Sequence, residues 1–216
     1  MLYWLSNMVY SVNPFLEMVH EMSKLYDVAV NDADYVVGTG KAMCLYYRKW
    51  TNMLMRCYSK SYLDKHPSHK GCSVTKDWLL FSNFKNWVHE QDWQGKHLDK
   101  DILKVGNKIY TPEHCVFVRK ELVSLLNDNT SIRGVHPRGV SWNNHAQKFQ
   151  ATIKRHGKKK HLGYFSTAAD ASNEYIKAKV AHIRVIAESE PLGVKQGLIA
   201  HADKLNERLL VKGVDN

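Results

Sequence analysis

Long apolar runs are missing from this chain of 216 residues. None approaches the roughly 18 residues that a membrane span needs, so no membrane-spanning protein is expected. Cysteine is scarce as well: the four stand at positions 44, 57, 72 and 115, with no close pair. That spacing argues against a disulfide scaffold and against a zinc module of paired cysteines. It favours a reducing compartment, the cytoplasm. Residues 1–22 show no basic leader ahead of an apolar block, so no secretory signal is expected either. Internal repeats and low-complexity tracts are also lacking. With 44% apolar and 24% charged residues, the composition is that of a folded globular protein rather than a disordered one.

The most informative lack is of acid. Between Ser131 and Ala169 there is no Asp or Glu. The same stretch holds Arg133, Arg138, Lys148, Lys154, Arg155, Lys158, Lys159 and Lys160, with His136, His145, His156 and His161 among them. Residues 1–40 are the opposite, with Glu17, Glu21, Asp27, Asp32 and Asp34 against Lys24 alone. The whole chain carries 31 Lys and Arg against 21 Asp and Glu, a net charge of +10. A basic stretch without counter-charge points to a polyanionic partner, nucleic acid before membrane.

The patterning predicts an α+β protein. Residues 1–25 read as a helical lead-in, with Pro14 after Asn13 and Phe15, Leu16, Met18, Val19 and Met22 near helical spacing. Residues 27–47 read as a short hairpin. Trp50, Met53, Leu54 and Cys57 share one face of a helix over 48–60. A second helix over 76–91 sets Trp78, Leu80, Phe81, Phe84, Trp87 and Val88 toward a core. A strand is expected from Leu98 to Leu103, a turn at Gly106-Asn107, and a helix from Thr111 with Pro112 in its first turn. Asn127 to Thr130 reads as a linker. Three alternating segments follow, at 139–143, 148–155 and 159–165, then a helix from Ala168 capped by Thr167. Beyond Pro191 one more amphipathic helix is expected, with Leu198, Ala202, Leu205 and Leu209 on a face that either forms a dimer seam or packs back onto the chain. The oligomeric state is left open by this pattern.

Two sets of motifs carry family resemblances. Trp50-x-x-Met53-Leu54-x-Arg56-Cys57-Tyr58, Lys70-Gly71-Cys72-x-Val74, Trp78-x-x-Phe81-x-x-Phe84, Leu98-Asp99-Lys100-Asp101-Ile102 and Gly106-Asn107-Lys108-x-Tyr110-x-Pro112-x-x-Cys115-x-Phe117-Val118 stand in order along the chain. Together they resemble phage HNH-type endonucleases. Arg138-Gly139-Val140-Ser141-Trp142, Lys148-Phe149-x-Ala151-x-Ile153, His161-Leu162-Gly163-x-Phe165-x-Thr167 and the segment Ala168 to Lys179 resemble the DNA-binding domain of plant Apetala/ethylene-response factors. The division expected is an HNH-like ββα-metal domain over 1–126, a three-stranded antiparallel sheet packed on one helix over 131–188, and a C-terminal helix and tail over 191–216.

The first resemblance implies a metal-dependent endonuclease that hydrolyses a phosphodiester bond of double-stranded DNA, using Mg2+ or Mn2+. Asp99 matches the family's metal-binding Asp, His114 its helix-borne ligand, and Asn107 the region of its central Asn. Lys100 stands where the general-base His belongs. A protonated lysine accepts no proton at neutral pH unless its surroundings lower its pKa by several units. His97 or Asp101, placed on the strand face of Asp99 by period-two alternation, are the replacements to consider; otherwise the domain is a DNA-binding remnant. The second resemblance implies that the sheet lies in a groove of DNA. Arg138, Trp142, Lys148, Lys154, Arg155, Lys158 and Lys160 are its candidate contacts, arginine for base edges and lysine for phosphates.

Overall fold

The structure, a computed structural model, describes residues 24–127, 135–155 and 157–211. Nearly all of the expected lead-in helix, most of the expected linker, Arg133 and His156 lie outside these residues. What is described is mixed helix and strand, as expected, and it divides into two compact units between Gln91 and Asp92. No helix among the described residues is long and apolar enough to cross a membrane.

In the first unit, helix α1 (Leu45–Tyr58) buries Trp50, Met53, Leu54 and Cys57, the four residues that share its apolar face. Helix α2 (Lys60–Lys65) follows, then a short extended segment, β1 (Ser73–Val74). The expected helix over 76–91 is two pieces. A single 3-10 turn spans Lys76–Leu79, and helix α3 runs Phe81–His89. Leu80 sits extended at the break and is exposed, not in the core as its spacing suggested. Trp78, Phe81, Phe84 and Val88 are buried as expected, and the Trp50 indole donates to the Trp78 carbonyl at 2.7 Å. The hairpin expected over 27–47 does not form. Val30 bridges Leu80 in parallel instead, and Leu45-Tyr46-Tyr47 open α1 because the helical apolar face behind them outweighs their strand preference. Asp32 accepts the Ser82 amide at 2.8 Å and the Ser82 hydroxyl, which puts a carboxylate at the N-terminus of α3.

The second unit opens with strand β2 (His97–Asp99), shorter than the 98–103 expected. A loop containing β3 (Ile109–Tyr110) leads to β4 (Val116–Val118), which pairs antiparallel with β2 in the register Leu98 to Phe117. The helix expected from Thr111 is a single turn. His114 bonds back to the Thr111 carbonyl and hydroxyl, each at 3.3 Å, and the chain then extends through Val116-Phe117-Val118. These β-branched and aromatic residues suit a strand. Helix α4 (Lys120–Leu126) comes only after β4.

Strands β5 (Val140–Asn143), β6 (Lys148–Arg155) and β7 (Lys158–Phe165) form the antiparallel sheet in that order. Helix α5 (Ala168–Ala187) backs it, capped by Thr167, whose hydroxyl accepts the Asp170 amide at 3.0 Å. Helix α6 (Leu192–Val211) then packs along α5. One core crosses the expected boundary at 126–131. It joins Ile102 of the loop, Val118, Leu122 and Leu125 of the β4–α4 region, Val180 and Ile183 of α5, and Val194, Leu198 and Ala202 of α6. The apolar face of the last helix therefore packs back onto its own chain.

Two glycines mark where this packing is tightest. At Gly139, φ is +77°, and an added Cβ would stand 2.1 Å from the Tyr175 ring. At Gly197 an added Cβ would stand 2.0 Å from the Ile102 carbonyl oxygen. Overpacking of this kind costs about 1–3 kcal/mol, or roughly 2–12 °C in a protein of this size. Gly197→Ala and Gly139→Ala are each expected to lower the thermal midpoint by that much, read by circular dichroism. Gly157→Ala, where an added Cβ meets nothing within 4 Å although φ is +77°, should cost less.

Candidate functional site

The loop after β2 is tied by its own polar side chains. Asp99 Oδ1 accepts the amides of Asp101 at 2.7 Å and Ile102 at 2.9 Å. This turn ends the strand at Asp99 and swings Asp101 out of it. Period-two alternation therefore does not put His97, Asp99 and Asp101 on one face. His97 is exposed on β2, Asp99 is half-buried at the strand end, and Asp101 lies in the turn.

Lys100 is buried, with 5% of its surface exposed. Its ammonium donates to Asp101 Oδ1 at 2.7 Å, Asp101 Oδ2 at 2.9 Å and the Asn107 carbonyl at 2.8 Å. The Asn107 amide answers with bonds to the Lys100 carbonyl at 2.8 Å and the Ile109 carbonyl at 2.7 Å. Gly106, at φ +75°, makes the turn ahead of it. Asn107 is thus a buried brace whose polar atoms hold backbone, rather than a group offered to a substrate.

Burial is the main influence on Asp99 and raises its pKa above the ordinary 3.8, against the pull of its two amide donors. Burial likewise pushes the Cys115 thiol up to about 12, helped by the nearby Asp99 and Asp101 carboxylates. His114 does not sit on a helix. Its Nδ1 lies 3.2 Å from the Thr111 hydroxyl. Helix α4, which does follow β4, reads Lys-Glu-Leu-Val-Ser-Leu-Leu and carries neither His nor Asn.

These residues do not fit a resident divalent ion. Asp101 is spent on Lys100, the Asn107 side chain is spent on backbone, and an ammonium stands among the carboxylates. No group of three or more His, Cys, Asp or Glu gathers closely enough to hold a metal among the described residues. The same holds around His66 and His69, which pack against Tyr62 with their ring centres 6.5 Å apart.

The sheet offers a different surface. Ala151 and Ile153 are buried against α5 and define its inner face. Strand partners directly opposite one another share a face. Trp142 is opposite Phe149, and their rings meet edge to face at 4.9 Å, so Trp142 belongs to the helix side although 41% of it is exposed. A register shift between Ala151 and Thr152 displaces β7 by one residue beside Gly163, whose φ is +145°. Lys160 then falls opposite Ile153 and Lys158 opposite Arg155, both on the inner parity, although both lysines are exposed beyond the core. Arg155 donates to the Ala178 carbonyl of α5 at 2.8 Å and anchors sheet to helix. Arg138 precedes the sheet, donates to the Asn127 carbonyl, and lines a cavity of about 310 Å³.

Of the seven expected contacts, Lys148 and Lys154 remain on the outward face. Ser141, Asn143, Gln150, Thr152, Lys159, His161 and Tyr164 share it. Gln150 donates to the Ser141 hydroxyl at 3.0 Å and accepts from the Asn143 amide at 3.3 Å, and the His161 and Tyr164 ring centres stand 4.6 Å apart. By sequence Lys159 reads only as a phosphate contact beside Lys158 and Lys160; it and His161 take the outward face because the bulge inverts the alternation, whereas Tyr164 follows from its place next to the inward Phe165. Gly163 inside a strand pattern was the available signal. Lys154 lies directly opposite Lys159, a like-charge pair that costs stability when no anion is present.

The chain matches no protein-family profile, no curated protein and no solved structure.

The Asp99 turn gives a prediction with a definite sign. A carboxylate whose folded pKa is raised weakens folding as pH climbs from near its ordinary value of about 4, and the whole cost is present at neutral pH. Asp99→Asn keeps an oxygen for the two amides and removes the half-buried charge. Asp99→Ala leaves both amides without their acceptor, at a cost of about 1–3 kcal/mol. At pH 7 the thermal midpoint should rank Asp99→Asn at or above wild type, and Asp99→Ala below both.

Proposed function

We propose that this chain acts on double-stranded DNA and holds it through the outward face of the β5–β6–β7 sheet. The observation that carries this reading is the face itself. It presents Lys148, Lys154, Lys159 and His161 with polar and aromatic neighbours, and it includes no acid among the described residues. A fold that sets Lys154 against Lys159 keeps an internal repulsion that a phosphate backbone relieves. Gln150, Asn143 and Tyr164 add hydrogen-bonding and aromatic groups toward one end of the face, of the kinds that contact base edges. The plan of three antiparallel strands backed by one helix is the one expected from the resemblance to the Apetala/ethylene-response-factor domain.

The second unit also contains the strand–loop–strand–helix order of β2, β4 and α4, which supports kinship with the HNH endonucleases. A second reading, metal-dependent DNA cleavage, rests on the resemblance and on the position of one residue, against the poor fit of its surroundings to a divalent ion. Asp99 ends β2 at the place of that family's metal-binding Asp, and its second carboxylate oxygen has no partner among the described residues. A supercoiled-plasmid assay with Mg2+, Mn2+ or chelator separates the two readings. Cleavage that needs metal and is lost in Asp99→Ala supports the endonuclease. Retention of plasmid in chelator, with no nicking in either metal, supports DNA binding without cleavage.

The sheet reading has its own test. Each phosphate contact contributes about 0.9 to the slope of log affinity against log salt. Lys154→Ala combined with Lys159→Ala should lower that slope by about 2 and weaken duplex binding roughly tenfold or more at moderate salt. The same double variant should be at least as heat-stable as wild type, because the facing charges are gone. Arg155→Ala should do the reverse, lowering the thermal midpoint while leaving the salt slope near wild type. Unchanged binding in the double lysine variant would remove the outward face as the DNA contact.

A further inference from the structure

We infer that the Lys100 ammonium is the resident cation of the loop between β2 and β4, standing where an HNH-like plan calls for a general base and a divalent metal. The inference uses the strand–loop–strand–helix part of the reading above and is independent of how the sheet meets DNA. Its basis is the saturation of one group. An ammonium has three N–H donors. Here the three acceptors are both carboxylate oxygens of Asp101 and the Asn107 carbonyl, at 2.7, 2.9 and 2.8 Å. The Tyr110 ring lies below the ammonium, with its centre 5.9 Å away, at the limit of cation–π attraction.

A group held in this way gives no donor to an attacking water or a phosphate. It does what a structural metal would do: it neutralises carboxylates and closes a loop. Lys100 and Asn107 each bond the other's main-chain carbonyl across the loop, so the two backbone segments are clamped from both sides. A divalent ion at Asp99 would have to enter beside this fixed positive charge and find Asp101 already taken. Lys100 is therefore a positioning residue, and the loop keeps its shape without metal.

Thermal unfolding and Mn2+ binding followed by electron paramagnetic resonance test this on the full chain. Wild type should show the same midpoint in chelator and in millimolar Mg2+ or Mn2+, and no saturable Mn2+ binding. Lys100→Met leaves the half-exposed Asp101 carboxylate and the Asn107 carbonyl without their donor and should lower the midpoint by about 2–12 °C, the range for unpairing one or two polar groups. In that variant Mn2+ should raise the midpoint again, because Asp101 becomes available beside Asp99 and the ammonium is gone, and the rescue should vanish when Asp99→Asn is added. Saturable Mn2+ binding by wild type that is lost in Asp99→Asn would overturn the inference. If Lys100→Met does not fold, the wild-type Mn2+ titration alone decides. Duplex binding in chelator is measured separately, so failure of this inference and failure of the sheet reading give different results.

Discussion

One carboxylate oxygen sets the course of the second unit. Asp99 Oδ1 takes the amides of Asp101 and Ile102, ends β2 and turns the chain. That turn delivers Ile102 to a fully buried position in the cluster that also holds Leu122 and Leu125 of α4, Val180 and Ile183 of α5, and Leu198 and Ala202 of α6. Gly197 lets α6 lie against the Ile102 carbonyl, and His201 Nε2 sits 2.8 Å from the Asp101 carbonyl. Helix α5 in turn backs the sheet and receives Arg155. The loop, the two long helices and the sheet therefore form one chain of dependence. The half-buried carboxylate is the weak point from which it begins, since its charged form is disfavoured there.

Much of this was legible in the sequence, for physical reasons. The face of α1 is fixed by Trp50, Met53, Leu54 and Cys57 at helical spacing, and no neighbour competes with it. The three strands of the sheet are bounded by turns and alternate clearly, and Thr167 with Asp170 three residues on makes a readable helix start. What misled was local chemistry that cancels a period. The stretch from Leu98 to Leu103, with apolar residues at both ends, reads as a strand, but the Asp99 side chain bonds backbone amides and stops it. Pro112 looks like a helix start, yet Val116-Phe117-Val118 demand a strand opposite β2, and only one turn survives.

The candidate site shows the same division. The basic, acid-free stretch was visible in composition alone. Which lysines face outward was not, because the register shift at Gly163 moves β7 by one position and turns its whole tip over. Trp142 and Arg155 read as DNA contacts by residue type, but cross-strand pairing gives the first to Phe149 and helix contact gives the second to Ala178. By residue type alone, Lys100 reads as the wrong group for a base. Two of its three acceptors belong to the adjacent Asp101, but the third, the Asn107 carbonyl, depends on a loop closing seven residues later, which spacing alone does not reveal.

The central claim is that DNA meets the outward face of β5, β6 and β7. Amide chemical shifts of the isotope-labelled chain, followed during titration with a short duplex in chelator, test it most directly. The account predicts shifts concentrated at Ser141, Gln150, Thr152, Lys154, Lys159, His161 and Tyr164, with little change at the inner positions Ala151 and Ile153. Shifts confined to residues outside the sheet, or none at a DNA concentration that saturates a basic control protein, would contradict it.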